Sequence, residues 1–136
     1  MPIRVRYHVD VAISSNPSEQ NDLGNVHVDQ LTDTQFEGGS WKTTLANGAT
    51  DVLLNMGNLA SANFVVLRTN VKDPTQGPPG NIVITKNSPS GEPWTIAPLG
   101  NCLEGNFLTS TTGITAIYAS NPGSVIMEVT LMAAGA

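Results

Sequence analysis

The sequence predicts an all-β fold: an antiparallel two-sheet β-sandwich, jelly-roll-like, with about eight to ten strands. Three observations carry this expectation. Apolar residues alternate with polar ones in short runs, most cleanly over Ile3, Val5, Tyr7, Val9, Val11 and Ile13, the period-2 pattern of a strand with one buried face. Turn residues separate the runs, with 13 glycines and 9 prolines among 136 positions, as expected where many strands are joined by many turns. No window of helical length keeps the i, i+3, i+4 apolar pattern without Gly or Pro breaking it, so no helix longer than two turns is expected.

The first strand is read over Ile3 to Ser14, with Arg4, Arg6, His8, Asp10, Ala12 and Ser14 on its polar face. At about 3.3 Å per residue it would span roughly 40 Å, long for a globular strand, so it is expected either to bend or to pack across subunits. Ser15 to Gly24 is a polar loop. Asn25 to Leu31 is a short strand, and Thr32 to Ser40 is left open. Trp41 to Leu45 and Asp51 to Met56 read as strands around the turn Ala46-Asn47-Gly48-Ala49. Ala62 to Asn70 contains Phe64-Val65-Val66-Leu67, a continuous apolar run read as a strand buried on both faces. The loop Lys72-Asp73-Pro74-Thr75-Gln76-Gly77-Pro78-Pro79-Gly80 should be an exposed, semi-rigid excursion in which proline forbids helix and ladder alike. Asn81 to Lys86 is a strand with Ile82 and Ile84 on one face, and Asn87 to Gly91 turns the chain. Glu92 to Leu99, bracketed by Pro93 and Pro98, suits an edge strand with Trp94 and Ile96 on one face. Asn101 to Thr112 is partly strand.

Ile114 to Ala119 and Val125 to Met132 are rich in β-branched residues. Ser120-Asn121-Pro122-Gly123 between them fits a type II turn, Pro122 presetting φ and Gly123 supplying a positive φ, so the segment reads as a β-hairpin. The predicted core comprises Val5, Tyr7, Val9, Val65, Leu67, Ile82, Ile84, Ile117, Val129 and Leu131. All 136 residues are expected to form a single β-sandwich domain.

Charged residues make up 12% of the chain, about half the roughly 25% of an average globular protein. A chain this rich in neutral polar residues suits a subunit of an assembly or a Thr/Asn/Ser-rich face shown to a partner. The net charge of −5, with no basic run or interleaved aromatic stripe, argues against nucleic acid as a partner. No run approaches the roughly 20 apolar residues of a membrane helix, and the first residues read as a strand rather than a signal peptide. The expectation is a soluble protein made in a cytoplasm, with no membrane partner. The single Cys102 excludes an internal disulfide and fits a reducing compartment.

Chemistry is sparse. His27-Val28-Asp29 puts two ligand types on one face of a strand, but His8 and His27 are read as solvent-facing strand residues, so no metal and no cofactor are expected. Arg4, Arg6, His8 and Asp10 form a charged ladder able to dock on an acidic surface. No Gly-x-Ser-x-Gly elbow, phosphate loop, His-Glu-x-x-His or paired-cysteine motif occurs. Cys102 is read as a structural thiol and the acidic residues are scattered singly, so no catalytic residue is assigned and no enzyme is expected. Trp41 and Trp94 offer a sugar-stacking pair, though with seven aromatics in the chain at least one is expected to fill the core.

From about Lys42 to Met132 the cadence runs Leu-Ala-Asn-Gly-Ala-Thr-Asp-Val-Leu-Leu-Asn-Met-Gly, then Ala-Asn-Phe-Val-Val-Leu-Arg-Thr-Asn, then Gly-Glu-Pro-Trp-Thr-Ile-Ala-Pro-Leu-Gly, and last Gly-Ile-Thr-Ala-Ile-Tyr-Ala-Ser-Asn-Pro-Gly-Ser-Val-Ile-Met-Glu-Val-Thr-Leu. This resembles small β-sandwich virion proteins of tailed bacteriophages, the capsid decoration or cement proteins. The resemblance implies a non-enzymatic structural protein, made in the host bacterial cytoplasm, that binds the major capsid protein on the outer surface of an icosahedral shell, often as a homotrimer. Many cement proteins begin with a flexible arm, whereas this chain begins in a strongly patterned strand. The family transfers no site residue. Candidate docking contacts come from this chain alone: Arg4 and Arg6 on the first strand, and Lys72, Asp73, Pro78 and Pro79 on the Pro-rich loop. The alternative is a carbohydrate-binding or receptor-binding β-sandwich module of a phage particle that uses Trp41 or Trp94.

Overall fold

The computed structural model describes residues 6–13, 24–31, 37–96 and 105–135. Among them there are ten strands, β1 (Arg6–Ile13), β2 (Gly24–Leu31), β3 (Glu37–Leu45), β4 (Val52–Leu53), β5 (Ala62–Val71), β6 (Ile82–Lys86), β7 (Trp94–Ile96), β8 (Gly105–Ile114), β9 (Ile117–Ser120) and β10 (Met127–Gly135). One 3-10 turn, Pro74–Gln76, is the single helical element described. The protein is all-β, as the Gly and Pro spacing predicts.

The chain divides into two units, Met1–Phe36 and Glu37–Ala136, where the sequence suggests one. The first unit holds β1 and β2, paired antiparallel over eight residues each, from Arg6 opposite Leu31 to Ile13 opposite Gly24. Val5, Ile3 and Ser14 of the expected first strand lie outside the described residues, as do the side chains of Tyr7 and Val9.

The second unit contains two four-stranded sheets, ordered β3-β10-β5-β8 and β4-β9-β6-β7. Every pairing is antiparallel. The connectivity follows a simple rule. Counting these eight strands along the chain, first pairs with last (β3 with β10), second with seventh (β4 with β9), third with sixth (β5 with β8) and fourth with fifth (β6 with β7). This is a folded-over ribbon, rolled so that β10 also joins β5 and β9 also joins β6. Consecutive strands therefore alternate between sheets except at the fold of the ribbon. That is the eight-stranded jelly roll, a β-sandwich of two Greek keys.

The roll explains why two expectations fail. Ile117–Ser120 and Met127–Gly135 are strands, but they do not pair: β9 joins β4 and β6, while β10 joins β3 and β5. The Asn121-Pro122-Gly123 segment crosses from one sheet to the other, and Gly123 is not among the residues of positive φ, so no type II turn forms. Likewise Ala46-Asn47-Gly48-Ala49 turns the chain, with Gly48 at φ 74 and Ala49 N–H bonded to Ala46 O at 3.1 Å, yet β3 and β4 enter different sheets.

The core lies between the sheets. β10 reads buried at Met127, Val129, Leu131 and Ala133 and half-buried or exposed at Glu128, Thr130 and Met132, the alternation predicted for it. Val65 and Leu67 of β5, Ile82 and Ile84 of β6 and Ile117 of β9 are all no more than 1% exposed, as are Val129 and Leu131, so these predicted core residues are core. The Phe64-to-Leu67 run is a correction. Val65 and Leu67 face inward, but Phe64 and Val66 are only half-buried, because β5 belongs to an outer layer with one covered face rather than to a middle sheet covered on both.

Candidate functional site

In an antiparallel roll the connections fall at two ends. The β3–β4, β5–β6 and β9–β10 connections meet at one end, and Asn121 holds two of them together. Its side chain is fully buried; Nδ2 donates to Leu45 O (3.2 Å), Ala46 O (3.1 Å) and Val125 O (2.8 Å), and Oδ1 accepts from Gly123 N–H (3.1 Å). Its backbone N–H donates to Ala49 O (2.8 Å), and its carbonyl accepts from Gly48 N–H (2.9 Å). An Asn can sit here because its amide offers two donors and an acceptor in one small plane, enough to reach carbonyls of both connections at once.

The Pro-rich loop is pinned to the same end. Lys72 N–H donates to Ile126 O (2.9 Å), and Lys72 Nζ donates to Glu128 Oε2 (3.1 Å). Inside the loop, Asp73 is the N-cap: its Oδ1 accepts from Thr75 N–H (3.0 Å) and Thr75 Oγ1 (2.7 Å), and Pro74 starts the turn with the φ that it needs. The sequence allowed no helix in this loop; a single 3-10 turn forms because proline is excluded from a helix interior but not from its first position. Gly77, at φ 137, packs toward Val125, where a Cβ would stand 3.3 Å from Val125 Cγ2. The result is a platform of three connections held together by backbone and amide hydrogen bonds.

Two carboxylates on this platform are held in their charged form. Hydrogen bonds from the Thr75 hydroxyl and then the Thr75 N–H hold the Asp73 carboxyl below its ordinary range. For Glu128 the hydrogen bond from Lys72 is the largest influence downward, partial burial opposes it, and the charges of Lys72 and of Lys42 (Nζ 3.7 Å from Oε1) reinforce it.

Of the predicted docking residues, Lys72, Asp73, Pro78 and Pro79 thus share one loop, with Lys72 and Pro78 exposed and Asp73 and Pro79 half-buried. Arg6 opens β1 in the other unit and Arg4 lies outside the described residues. Sequence reasoning missed Asn121 and Glu128. The available signals were slight: an Asn ahead of Pro-Gly between two apolar strands, and the one charged residue of β10.

The two tryptophans do not make one platform. Trp41 is half-buried against the core on β3, the edge of one sheet, and its indole covers Gly57, where a Cβ would collide with Cζ2 of the ring. Gly57 also takes φ +61, so glycine is required there twice over. Trp94 stands on β7, the edge of the other sheet, 42% exposed and with Lys86 Nζ 5.3 Å from its ring centroid. The predicted edge position of the Trp94 strand is observed.

At the opposite end of the roll an open cleft of about 450 Å³ lies between Thr43, Leu53, Asn55, Met56, Leu59 and Thr115. Its polar groups are hydroxyls and one amide, without a titratable side chain to act as acid or base. Among the described side chains no three His, Cys, Asp or Glu gather as a metal site. Cys102 lies outside the described residues. No helix among them is long and apolar enough to cross a membrane. In comparison with known proteins, the chain matches no family model, no curated relative and no solved structure.

Proposed function

We propose that the chain is a non-enzymatic structural protein of a phage particle, a decoration or cement protein that binds the major capsid protein on the outside of an icosahedral shell and stabilises it. One observation carries the reading: the end of the roll bearing Lys72, Asp73, Pro78 and Pro79 is pre-organised, its loops tied to one another through Asn121 and Ile126 before any partner arrives. A surface already ordered loses little entropy on docking, which favours a loop whose task is contact. The jelly roll is a scaffold that capsid proteins and lectins share, so it supports the reading by analogy of fold. The low charge and the resemblance in strand cadence point the same way.

The working form is a homotrimer. Three copies present three equivalent platforms to the shell, so individually weak contacts add through effective concentration. Light scattering at micromolar concentration should give a mass near three chains. Mixing with purified phage heads, followed by sedimentation and imaging, should put regular density on the shell surface. A stable monomer without affinity for shells overturns both the trimer and the cement role; a monomer that binds shells overturns the trimer alone.

The exposed Trp94 with Lys86 beside it favours one alternative, a module that stacks on a sugar of a receptor glycan. Glycan-array binding that disappears in Trp94→Ala, together with failure to bind heads, would select it.

A further inference from the structure

Thr130 of β10 stands directly between Lys42 of β3 and Arg68 of β5. Its neighbours Val129 and Leu131 are buried, so the alternation of the strand turns Thr130 outward, and directly opposed positions share its face. Lys42 and Arg68 are exposed and Thr130 is half-buried. With strands about 4.8 Å apart, the two cations flank one hydroxyl from backbones roughly 10 Å from each other. Lys42 and Lys72 share the carboxylate of Glu128, at 3.7 Å and 3.1 Å, whereas Arg68 has no ion-pair partner among the described residues. Lys42, Arg68 and Lys72 are half of the six Lys and Arg of the chain, and Glu128 is one of its eleven acidic residues. An excess of cations thus sits on one face of a chain whose net charge is −5. Two residues beyond Thr130 on the same face, Met132 is 45% exposed and stands opposite the half-buried Val66. A cationic row and an apolar row therefore run side by side, about 7 Å apart along the strands.

We propose that this outer face of β3, β10 and β5 binds an acidic segment of a partner protein, one that presents a carboxylate and, two residues away, an apolar side chain. An extended segment repeats its side chains on one face every two residues, about 7 Å, which is the spacing of the two rows. The carboxylate sits over Thr130, where the Arg68 guanidinium offers paired donors, Lys42 a second charge and the hydroxyl a further donor. The apolar side chain covers Met132 and Val66, whose area then leaves water; the unbranched Met132 adapts to its shape. Charge and the apolar row together select the class of partner. A nucleic acid brings phosphates along its whole length, which the rest of an acidic chain repels, whereas a short acidic segment needs only this face. Glu128 competes for the same lysines and so holds the affinity down. This inference goes beyond the capsid reading and does not depend on it.

The test uses the full-length chain and a fluorescent synthetic peptide of Glu-Thr-Leu-Thr repeats. The same peptide with Gln for Glu, inorganic phosphate and a single-stranded DNA oligonucleotide serve as controls. Anisotropy should show saturable binding that weakens as salt rises, and amide shifts on adding peptide should concentrate in β3, β10 and β5. Arg68→Gln and Lys42→Gln should each weaken the peptide roughly three- to tenfold, a charge-assisted contact discounted for exposure. Met132→Thr should weaken it less. Glu128→Gln should bind the peptide more tightly although it loses two ion pairs, a gain that a merely structural role for those lysines does not give. Absence of saturable binding, equal affinity for the Gln peptide, affinity unchanged in Arg68→Gln, or weaker binding by Glu128→Gln would each overturn the proposal. Tighter binding of the oligonucleotide, or phosphate displacing the peptide at equal concentration, would overturn it as well, in favour of a nucleic-acid face or a simple anion site. The shift map of the unsubstituted chain decides the matter even where a variant fails to fold.

Discussion

Asn121 at one end of the roll and Asn87 at the other each tie together connections that neighbour one another in space, yet they work under opposite conditions. Asn121 is wholly buried and supplies hydrogen bonds to carbonyls of Leu45, Ala46 and Val125. Asn87 is exposed; its Oδ1 accepts from Thr115 N–H (2.8 Å) and Thr115 Oγ1 (3.1 Å), its N–H donates to Ala116 O (2.7 Å), and its backbone sits at φ 64. The same side chain thus joins β9–β10 to β3–β4 at one end and β6–β7 to β8–β9 at the other. What differs is the alternative to the bond. At the exposed end water replaces a lost partner, whereas at the buried end nothing does. The contrast also separates a platform fixed from within from an end held only at its surface.

The largest expected effect breaks the buried tie. Asn121→Ala takes the side-chain donor from the Leu45 and Val125 carbonyls and the acceptor from the Gly123 N–H, while Ala46 O keeps the Ala49 N–H, at about 1–3 kcal/mol for each group that water cannot reach. A total loss of about 3 kcal/mol or more is expected, lowering the melting temperature by on the order of 10 °C. Urea unfolding with unchanged m-value would measure it. Asn121→Asp should do no better, since it turns an oxygen toward three carbonyl oxygens. A loss under about 1 kcal/mol would mean that water enters this end and the contrast is false.

Asn87→Ala should cost about 1–2 kcal/mol, the sum of two exposed hydrogen bonds and the left-handed backbone that Ala resists. Asn87→Gly removes the same side chain but tolerates φ 64, so it isolates the hydrogen-bond part and should cost less than Asn87→Ala. Equal costs for Ala and Gly would assign the whole effect to Thr115. A cost matching that of Asn121→Ala would erase the difference between the ends.

How much of this was legible beforehand depends on whether a feature is periodic. The inward faces of β5, β6 and β10 follow from alternation at Val65 and Leu67, Ile82 and Ile84, Val129 and Leu131, because burial of one face imposes period 2 on the chain itself. Pairing imposes no such pattern. Ile117–Ser120 and Met127–Gly135 look like the two arms of a hairpin, and Asn-Pro-Gly looks like its turn, but a crossing between sheets uses the same residues. β9 finds its partners in β4 and β6 and β10 in β3 and β5, far back along the chain. The platform was half legible. Proline marked the loop from Lys72 to Gly80, while Asn121 and Glu128 act as single residues whose meaning depends on neighbours that only the fold supplies.

The smallest expected effect concerns the weakest fastening of the platform, the Lys72–Glu128 pair that joins the β5–β6 loop to β10. Both lysines that face Glu128 are largely in water, with side chains 51% exposed for Lys72 and 69% for Lys42. Solvent screening therefore limits the pair to the roughly 0.2–1 kcal/mol of an exposed ion pair. Its sign with pH is nevertheless definite. The Lys72 hydrogen bond depresses the Glu128 carboxyl in the folded protein, so the stabilisation is complete above the unfolded value, about 4.3, and is lost as pH falls through the depressed folded value. Glu128→Gln should thus be less stable than the unsubstituted chain at pH 7 by under about 1 kcal/mol, and the gap should narrow as pH falls below the unfolded value and also shrink in high salt. Asp73, depressed in the same direction by Thr75, titrates alike in both proteins and cancels from the difference. Urea midpoints followed from pH 7 into the acid range would measure the gap. A gap that fails to narrow as pH falls would show that the difference does not come from the charge of Glu128, and the Asn121 end would then owe nothing to its surface charges.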